Sequence, residues 1–297
     1  MLPCPPAPRL AAGPGPYTLD RMIFDVAAEV MSNRRLSPDY NVIALRAPEI
    51  AGAARPGQFV MIKTAHGLDP MLRRPFSIFE IVRGAGGDPI GVSLLNKRVG
   101  AGTALLYDAR EGIALSLLGP LGQPFEPVGP DALAWMVAGG VGLAPFATLA
   151  EALVARGTQM TLFYGARTGA DLYYRELFES LGATLVLTTE DGSLGEKGRV
   201  TAPLERALAA QPADRPVMIY ACGPTPMMRA VAAIGERTSR PVFVSLEPVM
   251  GCGMGGCYSC VVPVKQGARG HFVRSCLEGP VFDAHRLVWD ALPAGGH

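Results

Sequence analysis

The sequence has almost no net charge and few histidines. Its 297 residues carry 27 lysines and arginines against 26 aspartates and glutamates, which gives a formal net charge of +1, and it has only 4 histidines. The positive side chains do not gather into a cluster at any point along the chain. Proteins that bind nucleic acid usually carry a basic patch that neutralises phosphates. The composition therefore gives no electrostatic support for a nucleic-acid partner.

The chain also lacks the pattern of a secretory signal. Residues 1–16 are rich in proline, alanine and glycine, and they have neither a basic start nor a continuous apolar core. This composition predicts a disordered tail, which we place at residues 1–19. Without an export signal, the protein is expected in the cytoplasm, where disulfides are rare.

Long uninterrupted apolar runs are missing as well. Residues 133–150 carry no charged side chain and reach the length of about 18 residues at which a membrane span is considered. Three glycines (Gly139, Gly140 and Gly142) and Pro145 interrupt this run, however. A buried strand, a glycine turn and the start of a helix explain the pattern better than a membrane span.

The first half of the chain predicts a β-rich unit. Short apolar or alternating runs, separated by turn signals, predict strands at residues 24–30, 40–45, 59–62, 76–82, 90–95 and 113–118. Strands of this length and spacing are typical of a small antiparallel barrel, which we place at residues 20–127. One short helix is expected near residues 100–106.

The second half predicts a different architecture. Strands and helices alternate four times between residues 134 and 234, which indicates a parallel sheet with right-handed crossovers. We place this α/β domain at residues 128–241 and a separate C-terminal segment at residues 242–297. The predicted fold class is therefore α+β with several domains.

Cysteines are few, yet four of the six lie close together in the C-terminal segment. Cys252, Cys257, Cys260 and Cys276 follow the pattern C-x4-C-x2-C-x15-C, and glycines surround the first two. The first three have the spacing of a plant-type [2Fe–2S] loop. A structural zinc site usually has two C-x2-C pairs or histidines, and disulfides require an oxidising compartment. An iron–sulfur cluster is favoured, while zinc, disulfides and free thiols remain alternatives.

Two glycine turns follow predicted strands of the α/β domain. Gly139, Gly140 and Gly142 lie between the first strand and its helix, where glycines and a helix N-terminus can approach a pyrophosphate. Cys222 and Gly223 occupy the equivalent position after the last strand. The sequence is not G-x-G-x-x-G, so a packing turn explains the first site about as well. A buried structural thiol is the simpler interpretation of Cys222.

The β-rich unit contains a third candidate site. Arg73 and Arg74 precede Pro75, Phe76 and Ser77 at the start of a predicted strand. An arginine there could hold a phosphate, although a pair of surface arginines is an equally simple explanation. The glycines and Thr103 of residues 100–103 precede the short helix and are a second candidate for phosphate binding.

The order of these motifs resembles the ferredoxin reductase superfamily, and most closely the electron-transfer subunits of class 1B dihydroorotate dehydrogenases. The resemblance covers residues 22–285. It is carried by the Arg-Pro-Phe-Ser, Leu-Gly-Pro-Leu-Gly, Gly-Gly-Val-Gly and Cys-Gly-Pro motifs, by Ser-Leu-Glu at residues 245–247, and by the cysteine pattern with its Gly-Pro-Val-Phe continuation. The cysteine loop is the most specific of these, because the whole superfamily shares the glycine turns.

The resemblance implies three cofactors: FAD in the barrel, NAD in the α/β domain and a [2Fe–2S] cluster in the C-terminal segment. Carried over by motif, the FAD contacts are Arg74, Pro75, Phe76, Ser77, Leu95, Asn96, Lys97, Gly102 and Thr103. The NAD contacts are Gly139, Gly140, Gly142 and Gly223, with Cys222 near the nicotinamide as the candidate catalytic residue. The cluster ligands are Cys252, Cys257, Cys260 and Cys276.

The resemblance also implies a role and a partner. The partner is an FMN-containing catalytic subunit that oxidises dihydroorotate to orotate in pyrimidine biosynthesis, in a hetero-oligomer expected to be a heterotetramer. Electrons would pass from FMN through the cluster and FAD to NAD⁺. Arg167 near the adenine ribose would favour NADP, whereas Glu190 and Asp191 would favour NAD, so the residues alone leave the coenzyme open.

Other functions share nearly every motif. A general NAD(P)H:ferredoxin-type reductase and the flavin subunit of a hydrogenase or sulfur reductase are the enzymatic alternatives. A zinc-stabilised binding module is the non-enzymatic one. The sequence departs from the family at the long loop 83–88, at the end of the Leu-Gly-Pro-Leu-Gly region (residues 121–125) and at Pro248.

Overall fold

The computed structural model describes residues 22–64, 67, 69–266 and 269–293. The predicted N-terminal tail, residues 1–19, therefore lies outside the described residues, as does Cys4. The described chain forms one antiparallel sheet, one mainly parallel sheet with helices on both faces, and a small C-terminal hairpin.

The antiparallel sheet has seven strands in the order β4-β3-β7-β1-β2-β6-β5. Its strands are β1 Phe24–Arg35, β2 Tyr40–Arg46, β3 Phe59–Lys63, β4 Arg74–Ser77, β5 Glu80–Arg83, β6 Pro89–Lys97 and β7 Ala114–Leu121, with helices α1 Pro48–Ala53 and α2 Ala101–Tyr107. Every strand pair is antiparallel. The six predicted strand regions and the short helix are confirmed, except that residues 76–82 form two strands.

The two edge strands of this sheet follow each other in the chain. Between β4 and β5, the backbone N–H of Ile78 donates to the carbonyl of Gln58 on one side, and that of Phe79 donates to Ser93 on the other. Both Ile78 and Phe79 are buried. The sheet therefore curls on itself into a half-barrel, and this bend explains why a single predicted strand became two.

The second sheet has the order β11-β10-β9-β8-β12-β13-β16. Its strands are β8 Leu133–Gly139, β9 Met160–Ala166, β10 Thr184–Thr189, β11 Glu196–Lys197, β12 Val217–Cys222, β13 Val242–Ser245 and β16 Val281–Asp283, and its helices are α3 Phe146–Ala155, α4 Arg175–Ser180, α5 Thr201–Ala210 and α6 Thr225–Arg237. All pairs are parallel except β13 with β16. The predicted alternation of strands and helices is confirmed.

Alternating side chains of β8 enter two different cores. Met136 and Ala138 lie in the core that also contains Phe79 of the half-barrel, whereas Trp135 and Val137 lie in the core on the other face. Successive side chains of a strand point to opposite faces of the sheet, so a strand that is buried on both faces has apolar residues at every position. This explains the uncharged stretch at residues 133–150 without a membrane span.

The C-terminal segment begins and ends in the parallel sheet. Between β13 and β16, the chain forms the hairpin β14 Val261–Gln266 with β15 Arg269–Arg274 and the short helix α7 Ser275–Glu278. The outer strand β16 then returns antiparallel to β13, with Ser245 opposite Val281. The cysteine-rich loop and the hairpin are therefore an insertion anchored at both ends by the α/β sheet.

The inserted segment also packs on the half-barrel. Met250, Cys260 and Cys276 share a small buried cluster with Met61 of β3 and with Leu118 of β7. Beside this contact, Gln123 donates from its backbone to the Gly279 carbonyl at 2.5 Å and from its side chain to the Leu277 carbonyl at 2.8 Å. The segment is thus fixed between the two larger units.

Gly122 should be essential to this attachment. It has φ +79°, and a Cβ there would lie 2.4 Å from Pro280 Cδ, whereas Gly112 has φ +82° and nothing within 4 Å. We expect Gly112→Ala to cost about 1 kcal/mol from backbone strain alone, and Gly122→Ala about 3 kcal/mol because overpacking is added. Thermal unfolding of both variants measures the difference. If both variants lost the same amount of Tm, the close contact of Gly122 with Pro280 would be contradicted.

Candidate functional site

The two adjacent arginines at the start of β4 have different partners. Arg73 donates to both carboxylate oxygens of Asp25 at 2.8 and 2.9 Å and to the Ser116 hydroxyl at 2.7 Å. The Arg74 guanidinium instead donates to the carbonyls of Leu72 and Arg73 at 2.9 and 3.3 Å, and its side chain lies beside Gly102 of α2. The ion pair holds Arg73 on the half-barrel, so Arg74, the predicted ligand contact, is the arginine that borders α2.

Arg74, Gly102 and Thr64 form a small cradle, called here the Arg74 cradle. A Cβ on Gly102 would lie 3.3 Å from Cγ and Nε of Arg74 and 3.5 Å from Oγ1 of Thr64. The Thr64 hydroxyl is buried and has no hydrogen-bond partner among the described residues. An unpartnered buried hydroxyl costs free energy, and a guanidinium favours anions. A phosphate oxygen would accept from both groups, so these residues fit the phosphates of FAD.

The hydroxyl of Thr103 already has partners within its own turn. Its Oγ1 accepts from the backbone N–H groups of Val99 and Gly100 at 2.9 and 3.0 Å, and donates to the Gly100 carbonyl. This is the reciprocal bonding by which a side chain at the third helical position caps a helix. The predicted contact of Thr103 with a ligand would therefore be made by its backbone.

The three predicted residues of β6 point to different places. Leu95 and Asn96 are buried, and the Asn96 amide donates to the Thr103 carbonyl at 3.0 Å. The Lys97 ammonium lies 5.5 Å from the centre of the Tyr40 ring. The Asn96 side chain is thus already hydrogen-bonded within the protein. A direct contact of Leu95, Asn96 or Lys97 with a ligand stays a prediction.

Strand β4 carries the remaining predicted flavin contacts. Pro75, Phe76 and Ser77 are all half-buried. Pro75 lies opposite Met61 in the register of β3 with β4, and Met61 packs in the same cluster as Cys260 and Cys276. The predicted metal ligands therefore pack on β3, the strand that pairs with the predicted flavin strand β4.

The four predicted cluster cysteines all belong to the inserted segment. Cys252 and Cys257 lie in the glycine-rich loop, Cys260 lies just before β14, and Cys276 lies in α7. Backbone N–H groups of Met254 and Gly256 donate to Cys252 Sγ at 3.4 and 3.3 Å. Bonds of this kind to ligand sulfur support iron–sulfur clusters, so the donor set fits one.

The thiols differ strongly in their electrostatics. The Ser259 hydroxyl, 3.1 Å from Cys257 Sγ, lowers the pKa of that exposed thiol to about 6, and the Ser259 backbone and Cys252 add to the effect. Burial raises the pKa of Cys276 to about 12, with a further contribution from the adjacent Cys260. The sequence pattern alone gives no sign of this difference.

The thiols approach one another in pairs. Cys257 contacts Cys252, and Cys276 contacts Cys260. In the described part of the chain, no group of three or more histidine, cysteine, aspartate or glutamate side chains is arranged as the ligands of a metal ion.

The predicted NAD contacts meet at the carboxyl edge of the parallel sheet. A Cβ on Gly142 would lie 2.2 Å from the Cys222 carbonyl oxygen and 2.6 Å from the Gly223 nitrogen, and one on Gly139 would lie 2.8 Å from Met227 Sδ. The two glycine turns are therefore in direct contact, and Gly140 adds a positive φ of +55° between them. Ligands of parallel sheets bind at this edge.

Cys222 ends β12 beneath this contact and is completely buried. Its Sγ lies 3.8 Å from Oε1 of Glu247. Burial raises the pKa of the Cys222 thiol well above its usual value, and the nearby Glu247 carboxylate raises it further. The thiol therefore stays protonated at neutral pH, which is unlike an activated nucleophile.

Sequence reasoning missed Thr64, Met61 and Glu247 as parts of these sites. Thr64 and Met61 belong to an apolar strand and its end, and only the pairing of β3 with β4 and the approach of α2 give them a role. Glu247 belongs to the Ser-Leu-Glu motif, yet nothing in the sequence indicated that its carboxylate lies next to the Cys222 thiol.

No described helix is long and apolar enough to cross a membrane.

Two family models match the chain. The model of the oxidoreductase NAD-binding domain matches residues 136–233. The model of the iron–sulfur cluster binding domain of dihydroorotate dehydrogenase B matches residues 247–288. These ranges correspond to the α/β sheet with its helices and to the inserted segment with all four clustered cysteines.

Relatives of full length are similar as well. The dihydroorotate dehydrogenase B (NAD(+)) electron transfer subunit of Desulforamulus reducens is 36% identical over 269 residues, which cover 90% of this chain and 99% of the relative. The subunit of the same name from Geobacillus kaustophilus is 39% identical over 263 residues, covering 87% and 96%.

Among solved structures, an NADH-dependent reduced ferredoxin-NADP oxidoreductase studied for flavin-based electron bifurcation is 30% identical with a TM-score of 0.78, covering 89% of this chain and 91% of that chain. The ferredoxin reductase in carbazole 1,9a-dioxygenase is 25% identical with a TM-score of 0.59, covering 73% and 65%. The fold is therefore ferredoxin reductase-like, with an antiparallel half-barrel, an α/β sheet and a C-terminal iron–sulfur binding domain.

Replacement of Cys257 by serine should remove the cluster without removing the flavin. Cys257 is in the exposed loop, far along the chain from the Arg74 cradle, so the visible absorption of iron and sulfide should be lost while FAD remains bound. Cys222→Ser is the matched control, because Cys222 lies at the sheet edge, and it should retain full iron content. Iron, sulfide and flavin are measured in both purified variants to test whether only the Cys257 replacement removes the cluster. Full iron content in the Cys257→Ser variant would contradict the assignment of Cys257 as a ligand of the cluster.

Proposed function

The chain belongs to the family of dihydroorotate dehydrogenase B electron transfer subunits, and on this basis we propose that it passes electrons between a catalytic partner subunit and NAD⁺. It would act as the NAD-linked oxidoreductase component of the pair, in pyrimidine biosynthesis. The partner would be an FMN-containing subunit that oxidises dihydroorotate, joined to this chain in a heterotetramer in the cytoplasm.

One observation carries this proposal: the cluster thiols pack against the strand next to the flavin strand. Cys260 and Cys276 share a buried contact with Met61, which lies opposite Pro75 in β4. Neighbouring strands are about 4.8 Å apart, so a flavin on β4 and a cluster held by these thiols would be close neighbours. This arrangement supports direct transfer between them.

The residues present support three cofactor sites. Arg74, Thr64 and Gly102 would hold the FAD phosphates, and Pro75, Phe76 and Ser77 would orient the ring beside β3. Cys252, Cys257, Cys260 and Cys276 would ligate the [2Fe–2S] cluster. Gly139, Gly140, Gly142 and Gly223 would let NAD approach the sheet edge. When bound, FAD links the two-electron hydride chemistry of NAD to the one-electron chemistry of the cluster.

Cys222 would serve NAD binding rather than covalent chemistry. Its thiol is buried, retains its proton and faces Glu247. A neutral side chain buried beneath the two glycine turns can support the backbone of the sheet edge at which NAD would bind. A structural role under the NAD site is therefore the one that its surroundings support.

We also propose the domain division made from the sequence: residues 20–127 for FAD, 128–241 for NAD and 242–297 for the cluster. The boundary at residue 242 is less sharp than this division suggests, since β13 and β16 both belong to the α/β sheet. The cluster unit proper would then be the insertion between these two strands.

A second candidate is a general NAD(P)H:ferredoxin-type reductase. The observation that favours it is the similarity to the NADH-dependent reduced ferredoxin-NADP oxidoreductase, which extends over most of both chains. The flavin subunit of a hydrogenase or sulfur reductase would use the same sites with another partner. The partner protein is therefore what separates these functions.

The decisive experiment compares the purified chain alone with the chain mixed with an FMN-containing dihydroorotate dehydrogenase catalytic subunit. We expect dihydroorotate-dependent reduction of NAD⁺, monitored by the absorbance of NADH, only in the mixture, because the proposed site of dihydroorotate oxidation is the FMN of the partner subunit. Activity of the isolated chain would contradict the proposed division of labour. An inactive mixture, combined with rapid ferredoxin reduction by NADH, would favour the second candidate.

A further inference from the structure

Three buried or half-buried asparagines form a continuous chain of side-chain hydrogen bonds inside the half-barrel. The Asn96 amide of β6 donates to Oδ1 of Asn41 in β2 at 2.7 Å, and the Asn41 amide donates to Oδ1 of Asn33 in β1 at 2.6 Å. Asn41 and Asn96 are completely buried. We call this chain the asparagine relay.

Both ends of the relay bind helix α2. The Asn33 amide donates to the carbonyls of Leu106, Tyr107 and Ala109 at 3.1, 3.1 and 2.8 Å. At the other end, the Asn96 amide donates to the Thr103 carbonyl at 3.0 Å. Carbonyls only accept hydrogen bonds, so these contacts fix which way each amide is turned. The relay therefore connects three strands of the sheet to the first and last turns of α2.

Helix α2 depends on such contacts for its position. It has seven residues, Ala101–Tyr107, and an isolated helix of this length is unstable in water. Other groups clamp the same end of it: the Tyr107 hydroxyl donates to the Ser37 carbonyl at 2.8 Å, and the guanidinium groups of Arg35 and Arg98 lie 4.7 and 5.0 Å from the Tyr107 ring centre. The sheet thus determines where α2 lies.

The apolar surroundings of the relay argue against the idea that the three asparagines serve only to fill space in the core. The core of the half-barrel around it consists of side chains such as Ile43, Leu94 and Leu106. Removing amides from water is costly, and apolar side chains of similar size would fill the same space at lower cost. Oδ1 of Asn96 is also buried and has no hydrogen-bond partner among the described residues, which adds to the cost of burying the relay. The relay is therefore better explained as a device that fixes one geometry than as a source of stability.

The geometry that the relay fixes is that of the Arg74 cradle. Gly102 lies in the first turn of α2, one residue before Thr103, and it faces Arg74 and Thr64. We propose that Asn33, Asn41 and Asn96 are positioning residues that hold α2 at the distance from β3 and β4 required for binding the FAD phosphates. This inference rests on the proposed function, because it assumes that the cradle holds FAD.

Asn41→Ala, which removes the centre of the relay, tests the inference. The dissociation constant for FAD should rise about tenfold, the effect of a lost hydrogen bond or its equivalent in cradle geometry. It is measured by titrating FAD into the flavin-free protein well below its Tm. Iron content should be unchanged, because the cysteines lie outside the relay.

Leu45→Ala is the matched control for stability. Leu45 is buried on the same strand as Asn41 but belongs to the apolar core and makes no relay bond. Its variant should lose at least as much Tm as Asn41→Ala while FAD affinity is unchanged. If FAD affinity falls in both variants in proportion to Tm, or in neither, the positioning role is overturned.

A second variant keeps the test decisive if Asn41→Ala does not fold. Asn33→Ala changes the half-buried outer end of the relay, and it should raise the FAD dissociation constant by a smaller factor with normal circular dichroism. An unchanged FAD affinity in folded Asn33→Ala would overturn the inference. The proposed function fails separately: in that case the unaltered protein itself would bind no FAD.

Discussion

The structure depends most on the buried contact between the inserted cysteine segment and strand β3. Met61 lies at its centre: it packs with Cys260 and Cys276, and it pairs with Pro75 of β4, the proposed flavin strand. Because an apolar contact of this kind is stabilised by the removal of surface from water, it fixes the inserted segment against the half-barrel. The relative position of the two proposed redox sites would thus follow from ordinary packing of the half-barrel.

Two further attachments restrict the same segment. Strands β13 and β16 pair in the α/β sheet at its start and end, and Gln123 bonds to the backbone that follows α7. The segment is consequently joined to both larger units, while the NAD edge, with Cys222 and Glu247, lies at its entrance. One short stretch of chain therefore lies beside all three proposed cofactor sites, which suits a protein that conducts electrons between them.

The sequence predicted the local features well and the non-local ones poorly. The cysteine spacing, the glycine turns and the alternation of strands and helices depend on neighbouring residues, and each predicted element is present. By contrast, the residue pattern by itself did not separate Arg73 from Arg74, and only the family resemblance singled out Arg74; Asp25, the ion-pair partner that distinguishes Arg73 in the structure, is distant in the chain. The pattern also gave no indication of Thr64 or of the asparagine relay, because their partners come from strands and a helix that meet only after folding.

A rapid-mixing experiment shows whether the cluster communicates with NAD through FAD. Anaerobic protein is fully reduced with a chemical reductant, so that the cluster holds one electron and any bound FAD holds two, and is then mixed with NAD⁺. The mixing is done once with FAD bound and once after FAD has been removed, and the visible absorption of the cluster is followed together with NADH. We expect hydride transfer from the reduced FAD to form NADH, and the oxidised FAD to take the electron of the cluster, so that NADH formation and cluster reoxidation occur only in the FAD-loaded protein. Equally fast reoxidation by NAD⁺ in the FAD-free protein would contradict this expectation.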